Sequence, residues 1–176
     1  MVVRYIGDTH LYYSESQSWR PMSFDEYAND LVINWELTRV LDDDLTIMVG
    51  DIGDYCARTV EVLKSLRGMK ILVLGNHDLS WPTTALDYLF DSVYPEIRQG
   101  NMLIRHVPTD ADAIGSYVIH GHHHEYVTPS MLNQQTRYLS DRMRFNCAAD
   151  IIGNKPCTFN QLMINKEHMR KSVLHS

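Results

Sequence analysis

Residues 72–78, which read LVLGNHD, constrain the fold more than any other stretch of this chain. Their apolar run is typical of a buried strand in a parallel sheet, and the glycine ends it in a tight turn. Asn76, His77 and Asp78 then stand at the carboxyl end of the strand, where open α/β sheets bind ligands. Taken alone, the stretch fits a polar turn with a solvated histidine equally well, so the rest of the chain must decide.

Two earlier segments show the same pattern of an apolar run, a glycine and an acidic residue. Residues 2–6 lead to Asp8 and His10, and residues 45–49 lead to Asp51. Helical segments separate these strands from one another and from the LVLGNHD stretch. Such an order of βα units predicts a mostly parallel sheet with right-handed crossovers.

The segments between the strands predict two helices. The first begins at Ser23, where Glu26 completes a capping-box pattern, and its apolar spacing continues to Leu41. The acidic run 42–44 that follows is interpreted as a solvated connection. The second helix covers residues 57–67 and has a glycine where a C-terminal cap belongs.

Residues 11–22 contain Pro21 and show no periodicity, so a long surface loop is predicted between the first strand and the first helix. Three aromatic residues of this loop, Tyr12, Tyr13 and Trp19, have two possible roles. They either line a binding cleft or fold back over the edge of the core.

The second half of the chain predicts shorter elements. They are a helix at 84–93, a strand pair at 96–98 and 102–105, strands at 117–119 and 144–149, and a helix at 158–169. The polar stretch 128–141 has no clear pattern.

Composition limits the function classes. A chain of 176 residues can bury one core, so residues 1–176 are predicted to form a single domain. A net charge of -6 and a pI near 5.8 argue against a dedicated nucleic-acid binder. Three scattered cysteines fit neither a disulfide framework nor a zinc site and favour a reducing compartment. The first residues predict neither a signal peptide nor a membrane span, so we expect a cytoplasmic protein.

Five apolar segments stop at residues that bind divalent metals. A lone histidine such as His106 is usually structural, whereas the HGHHH sequence at 120–124 is more specific. All five segment ends at one sheet edge predict a metal site. The candidate ligands are two carboxylates, one amide and four imidazoles: Asp8, Asp51, Asn76, His10, His106, His122 and His124.

This set of ligands restricts the metal and its chemistry. Calcium and magnesium prefer oxygen ligands, whereas imidazoles without thiolates suit manganese, iron, zinc, nickel or cobalt. Seven ligands suit two ions that share one carboxylate at a separation of about 3.5–4 Å. Two divalent cations outweigh the charges of Asp8 and Asp51, and a net positive site suits a phosphate ester and a bridging hydroxide.

These sequence blocks resemble the signature motifs of the calcineurin-like metallophosphoesterases. The blocks are Asp8-Thr9-His10, Gly50-Asp51, Gly75-Asn76-His77-Asp78, His106 and Gly121-His122-His123-His124. Further stretches are similar to a branch of small bacterial and phage phosphoesterases: Arg20-Pro21, Asn34-Trp35, Phe145-Asn146-Cys147 and Lys155-Pro156. The resemblance covers most of the chain, from about residue 3 to about residue 165.

The resemblance implies a four-layer αββα sandwich and assigns a role to each site residue. One metal would take Asp8, His10 and His124, the other Asn76, His106 and His122, with Asp51 bridging. His77 is similar to the family's proton donor to the leaving oxygen, and Asp78 would orient its imidazole. His120 and His123 match no ligand position, so we expect them next to the ligands or facing solvent.

The expected function is therefore hydrolysis of phosphomonoesters or phosphodiesters by two divalent transition-metal ions, with manganese favoured. A metal-bridging hydroxide would be the nucleophile, His77 the general acid, and a small phosphate ester such as a nucleotide the substrate. A non-catalytic interaction scaffold of the same fold would lack residues that this chain retains. A nuclease would be expected to carry a basic groove or an extra domain. The loop at 11–19 lacks the further Gly-His pair usual in the branch, which leaves substrate recognition open.

Overall fold

Two four-stranded sheets organise the protein in the computed structural model, which describes residues 1–113, 116–124 and 141–174. The strands of the first sheet, in spatial order, are β1 (Val3–Ile6), β2 (Leu45–Val49), β3 (Met69–Val73) and β4 (Ser92–Tyr94). Each neighbouring pair is parallel. The predicted parallel sheet is thereby confirmed.

The second sheet is mixed. Its strands, in spatial order, are β5 (Ile97–Gln99), β6 (Met102–Ile104), β7 (Tyr117–His120) and β8 (Arg144–Asn146). β5 and β6 form the predicted strand pair and are antiparallel, and β6, β7 and β8 run parallel to one another. The described helices are α1 (Phe24–Leu37), α2 (Ala57–Ser65), α3 (Thr83–Leu89), α4 (Ala149–Ile152) and α5 (Phe159–Leu174).

One hydrophobic core extends over both sheets. Ile6, Met48 and Leu72 are neighbours across the first sheet and are fully buried, as branched and long apolar residues on parallel strands predict. Ile119 and Phe145 of the second sheet belong to the same cluster. The protein is thus an α/β sandwich of two sheets, in agreement with the fold expected from the resemblance.

The predicted end of the first helix was wrong. The capping box at Ser23 is present, but α1 ends at Leu37, and Arg39 then takes a left-handed backbone conformation with φ 52°. This turn buries Val40 and leaves Leu41 exposed. Leu41 therefore does not continue the apolar face of the helix.

The acidic run 42–44 is not a solvated connection throughout. Asp44 is buried, and its carboxylate accepts hydrogen bonds from the backbone N–H of Val2 at 2.6 Å and of Leu41 at 3.2 Å. It also pairs with the guanidinium of Arg4 at 2.8 Å. Asp44 thereby ties the start of the chain to the connection that precedes β2.

Several other predicted segments also differ from the structure. The loop at 11–22 contains a short 3₁₀ helix at Ser14–Ser18, and the helix at 84–93 ends at Leu89 because Ser92–Tyr94 forms an edge strand. The strand at 144–149 ends at Asn146, and its last residue starts α4. Most of the stretch 128–141 lies outside the described residues. No helix in the described ranges is long and apolar enough to cross a membrane.

The capping box generates a stability prediction. The hydroxyl of Ser23 accepts a hydrogen bond from the N–H of Glu26, whose carboxylate in turn accepts one from the N–H of Ser23. Ser23→Ala removes the first bond and should lower the free energy of unfolding by about 1 kcal/mol. Chemical denaturation measures this change. Ser23→Thr retains a hydroxyl and serves as the control; equal losses in both variants would contradict a capping role.

Candidate metal centre

The predicted ligands follow the carboxyl ends of five strands. Because β1, β2 and β3 are parallel, the loops after them meet at one edge of the first sheet, and β6 and β7 likewise end together. The loops carry Asp8 and His10 after β1, Asp51 after β2, Asn76 after β3, His106 after β6, and His122 and His124 after β7. The structure brings these residues together in two groups.

The first group contains Asp8, His10 and His124. One potential ligand atom from each lies within 4.8 Å of the others. The side chains of Asp8 and His10, which follow β1, are buried. The Nε2 atoms of His10 and His124 are 3.1 Å apart, and Nε2 of His124 lies 3.3 Å from Oδ1 of Asp8. All three side chains thus direct donor atoms to one point.

The second group contains Asp51, His106 and His122, with potential ligand atoms again within 4.8 Å of one another. Nε2 of His106 lies 3.1 Å from Oδ2 of Asp51 and 3.1 Å from the amide oxygen of Asn76. Oδ2 of Asp51 is also 3.8 Å from Nε2 of His10 in the first group. One carboxylate oxygen therefore lies between the two groups.

Four of these residues have left-handed backbone conformations, which are uncommon outside glycine. The φ angles are 54° at Asp8, 42° at His10, 53° at Asp51 and 69° at His122. Such conformations cluster at functional sites, where the surrounding structure holds them. At each position the left-handed conformation changes the direction of the backbone after the strand, and the side chain then lies in the site.

Two glycines leave room for the carboxylates. A Cβ atom at Gly121 would overlap the carboxylate of Asp8, and one at Gly75 would overlap that of Asp51. Both carboxylates also accept backbone hydrogen bonds: Asp8 from the N–H of His122 at 2.9 Å, and Asp51 from the N–H of His77 at 2.9 Å. Close backbone approach therefore fixes both acids.

The imidazoles of the site have opposite pKa changes. Burial lowers the pKa of His10 to about 4. Burial also disfavours charge on His106, but the carboxylates of Asp8 and Asp51 outweigh this effect and raise its pKa to about 9. Hydrogen-bonded carboxylates likewise outweigh burial at His124 and raise its pKa to about 10. Because a metal binds the unprotonated imidazole, a cation would displace protons from His106 and His124.

Asp78 does not orient His77, and this prediction is corrected. The carboxylate of Asp78 is fully buried and accepts hydrogen bonds from the backbone N–H groups of Asp51 at 2.8 Å, Ile52 at 2.9 Å and Gly75 at 2.8 Å. Asp78 therefore joins the loop after β2 to the loop after β3. Its role is to hold the two loops that carry Asp51 and the GNHD sequence.

His77 lies at the mouth of the site. Its side chain is 39% exposed, and its Nε2 atom is 3.9 Å from Oδ2 of Asp51. The ring of Tyr13 is 4.8 Å from that of His77, and Trp19 lies 6.1 Å from the ring of His124. Two of the three aromatic residues of the 11–22 loop therefore border the site.

The third aromatic residue, Tyr12, packs against Phe24 instead. The same loop contributes Arg20, which the sequence analysis noted without assigning a function. Its guanidinium donates hydrogen bonds to the carbonyl oxygens of Thr9 and His10, both at 3.2 Å, and stacks on the ring of Tyr27. Arg20 thus supports the left-handed backbone of the first ligand loop.

The remaining two histidines of the HGHHH sequence do not face solvent. His120 is 2% exposed and His123 is 3% exposed, and their ring centroids are 5.7 Å apart. His122, by contrast, has a left-handed φ of 69°, so the backbone is not extended at this residue. Sequence analysis also missed Asp150, whose Oδ2 lies 3.3 Å from Nδ1 of His124. No local pattern signals this contact, because the fold brings Asp150 to the site from the first turn of α4.

Comparison with known proteins identifies the family. A sequence profile of the calcineurin-like phosphoesterases matches residues 1–155, and the chain belongs to this family. Among solved structures it is similar to the protein of unknown function AQ665 from Aquifex aeolicus, with a TM-score of 0.68 and 22% identity over 91% of this chain and 96% of that one.

A second solved structure, the nuclease MPE from Pseudomonas putida, matches with a TM-score of 0.48 and 17% identity, over 69% of this chain and 60% of that one. No curated protein sequence matches the chain. At these identities, the likeness to AQ665 shows the fold alone.

The corrected role of Asp78 is testable. Asn has the same shape, but its side-chain NH₂ would face a backbone N–H from which Asp78 now accepts a hydrogen bond, so two donors would oppose each other. We expect Asp78→Asn to lower the free energy of unfolding of the metal-free protein by about 1–3 kcal/mol. Asp54→Asn, in the loop after β2, is the control because the hydrogen bond that Asp54 accepts from Ser14 is long, at 3.4 Å, and exposed. Unchanged stability of Asp78→Asn in chemical denaturation would contradict the account.

Proposed function

We propose that this protein hydrolyses phosphate esters with two divalent cations bound at the carboxyl edge of its strands. The observation that carries this proposal is the convergence of two groups of potential ligands on either side of the Asp51 carboxylate. Asp8, His10 and His124 would hold one cation. Asn76, His106 and His122 would hold the other, with Asp51 shared.

The side chains present fit such cations. Carboxylate, amide and imidazole groups form a mixed oxygen and nitrogen set, which suits manganese first and iron, zinc, nickel or cobalt as alternatives. Asp8 and Asp51 are buried, so their charges need compensation that water does not supply. When bound, two cations would neutralise phosphate charge and activate water at neutral pH.

His77 would donate a proton to the leaving oxygen. Its side chain is near Asp51 but remains partly exposed, so a substrate that enters the site can reach the ring. The ring also contacts His10 and Tyr13, which restrict its orientation. These neighbours take the place of Asp78, whose carboxylate is engaged by the backbone.

The substrate would be a small phosphate monoester or diester, with nucleotides among the candidates. Tyr13 and Trp19 border the site and offer apolar surface to the organic part of such an ester. The net charge of -6 does not favour a long nucleic acid. We further propose that residues 1–176 act as one domain; a cytoplasmic location stays a prediction.

A non-catalytic scaffold of the same fold is the alternative. It would need neither His77 nor a complete set of ligands, whereas this chain has both. Turnover of a nitrophenyl phosphate ester by the metal-loaded protein separates the two functions. Two bound cations without turnover of any ester would favour the scaffold.

The acid role of His77 generates a prediction about leaving groups. An alkoxide must be protonated as its bond to phosphorus breaks, whereas nitrophenolate leaves without a proton. Proton donation contributes about 10²–10⁴-fold, so His77→Ala should lower kcat/KM for an alkyl or nucleoside ester by about 10²-fold or more. Activity on the nitrophenyl ester should fall much less. Steady-state kinetics at matched metal content measure both.

His168→Ala is the control for this experiment, because His168 is an exposed histidine on α5. It should leave both activities unchanged. Parallel losses on the two esters in His77→Ala would mean that His77 binds phosphate or shapes the turn, and would remove it from the acid role.

A further inference from the structure

Asp150 contacts the first group of ligands through the imidazole of His124. Oδ2 of Asp150 lies 3.3 Å from Nδ1 of His124, and the opposite ring nitrogen, Nε2, lies 3.3 Å from Oδ1 of Asp8. The ring of His124 therefore stands between an outer carboxylate and the centre of the first group. This arrangement selects Nε2 as the metal-binding atom and Nδ1 as the atom that carries the proton.

One backbone and one side-chain hydrogen bond, the latter from the Asn146 amide, fix the position of the segment that carries Asp150. It lies in the first turn of α4, where the N–H of the preceding residue, Ala149, donates to the carbonyl of Gly7 at 2.8 Å. The amide of Asn146, at the end of β8, donates to the carbonyl of His123 at 2.6 Å. The segment that carries Asp150 is thus attached to both loops of the first group, and its carboxylate is mostly shielded from water at 14% exposure.

The second group has a different support. Nε2 of His106 faces Asp51, and the opposite ring nitrogen, Nδ1, lies 2.9 Å from the backbone carbonyl oxygen of Val49. A carbonyl can fix the orientation and tautomer of the ring as a carboxylate can, but it has no net charge. The inner carboxylates are also unequal, because Asp8 belongs to the first group and Asp51 would be shared by both.

We propose that Asp150 is a positioning residue that makes the Asp8–His10–His124 site bind its cation more tightly than the Asp51–His106–His122 site. The proposal rests on the two-cation function proposed above. A carboxylate that accepts the second N–H of a metal-binding histidine holds the ring and makes the ligating nitrogen more basic. The two sites then fill in order, the Asp8 site first, and at limiting metal the protein holds one cation there.

The test is a metal titration of the stripped protein. Calorimetry with Mn²⁺ should show two unequal affinities in the wild type. Loss of an outer carboxylate partner typically costs about 10–100-fold in metal affinity, so Asp150→Asn should weaken the tighter site by this factor and leave the weaker one unchanged. Asp150→Glu, which retains the charge, should recover part of the loss.

Asp30→Asn is the matched control. Asp30 is also half-buried and accepts a hydrogen bond from the side chain of Asn154, close to the end of α4, at 2.8 Å. Asp30 contacts the amide of Asn154, whereas Asp150 contacts the imidazole of a proposed ligand. Asp30→Asn should therefore keep the metal affinities of both sites. The metal-free Asp150→Asn protein loses the pair with the protonated His124, so its melting temperature should fall slightly. A merely structural role would lower the affinities of both sites, whereas a positioning role lowers only that of the Asp8 site.

Two results would overturn the proposal: no loss of affinity in Asp150→Asn, or an equal loss at both sites. The titration measures metal binding and not hydrolysis, so it tests the role of Asp150 separately from the proposed phosphoesterase activity. A wild type with two unequal affinities that hydrolyses no phosphate ester would refute the proposed function and leave the role of Asp150 intact. Full hydrolysis with unchanged affinities in Asp150→Asn would do the reverse.

Discussion

A single buried carboxylate holds together the two loops on which the centre of the site depends. Asp78 accepts backbone N–H groups from the loop after β2 and from the loop after β3, at 2.8–2.9 Å. This contact fixes the left-handed backbone of Asp51 and the turn that presents Asn76 and His77. A carboxyl group can accept several backbone N–H groups at once, which suits a group that must keep strained residues in place.

The second constraint is charge. Asp8 and Asp51 are buried beside four imidazoles at a point where parallel strands end. Burial disfavours charge on all of these groups, and the carboxylates raise the pKa values of His106 and His124 in compensation. Two divalent cations would compensate the negative charge of the same carboxylates, so that the imidazoles could lose their protons and bind the metal. The centre is thus arranged for cations by the elements that shape it: strand ends, left-handed turns and glycines without a Cβ.

Much of this arrangement follows from local sequence. Apolar runs predicted the strands that carry the ligands, because a parallel strand that is buried on both faces is apolar along most of its length. The capping box at Ser23 is also local, and the structure contains it. The proposed ligands stand within a few residues of their strands, so a motif is sufficient to find them.

The features that local sequence did not reveal are mostly contacts between distant parts of the chain. Asp44 is buried because the N–H of Val2, 42 residues away, needs an acceptor. His120 and His123 are buried by packing that no periodicity in the HGHHH sequence reveals. Asp78 looked like a partner of its neighbour His77, but the loop after β2 supplies its partners. Asp150 reaches His124 because the start of α4 is attached to the end of β1.

The most direct test of the account is the magnetic state of the manganese-loaded protein. If Asp51 is shared, two Mn²⁺ ions bind at a separation of about 3.5–4 Å and are coupled through the carboxylate. Electron paramagnetic resonance of the fully loaded wild type should then show the spectrum of a coupled pair, and Asp51→Asn should lose that coupling. The signal of isolated ions in the fully loaded wild type, or the binding of one equivalent only, would contradict the two-cation centre.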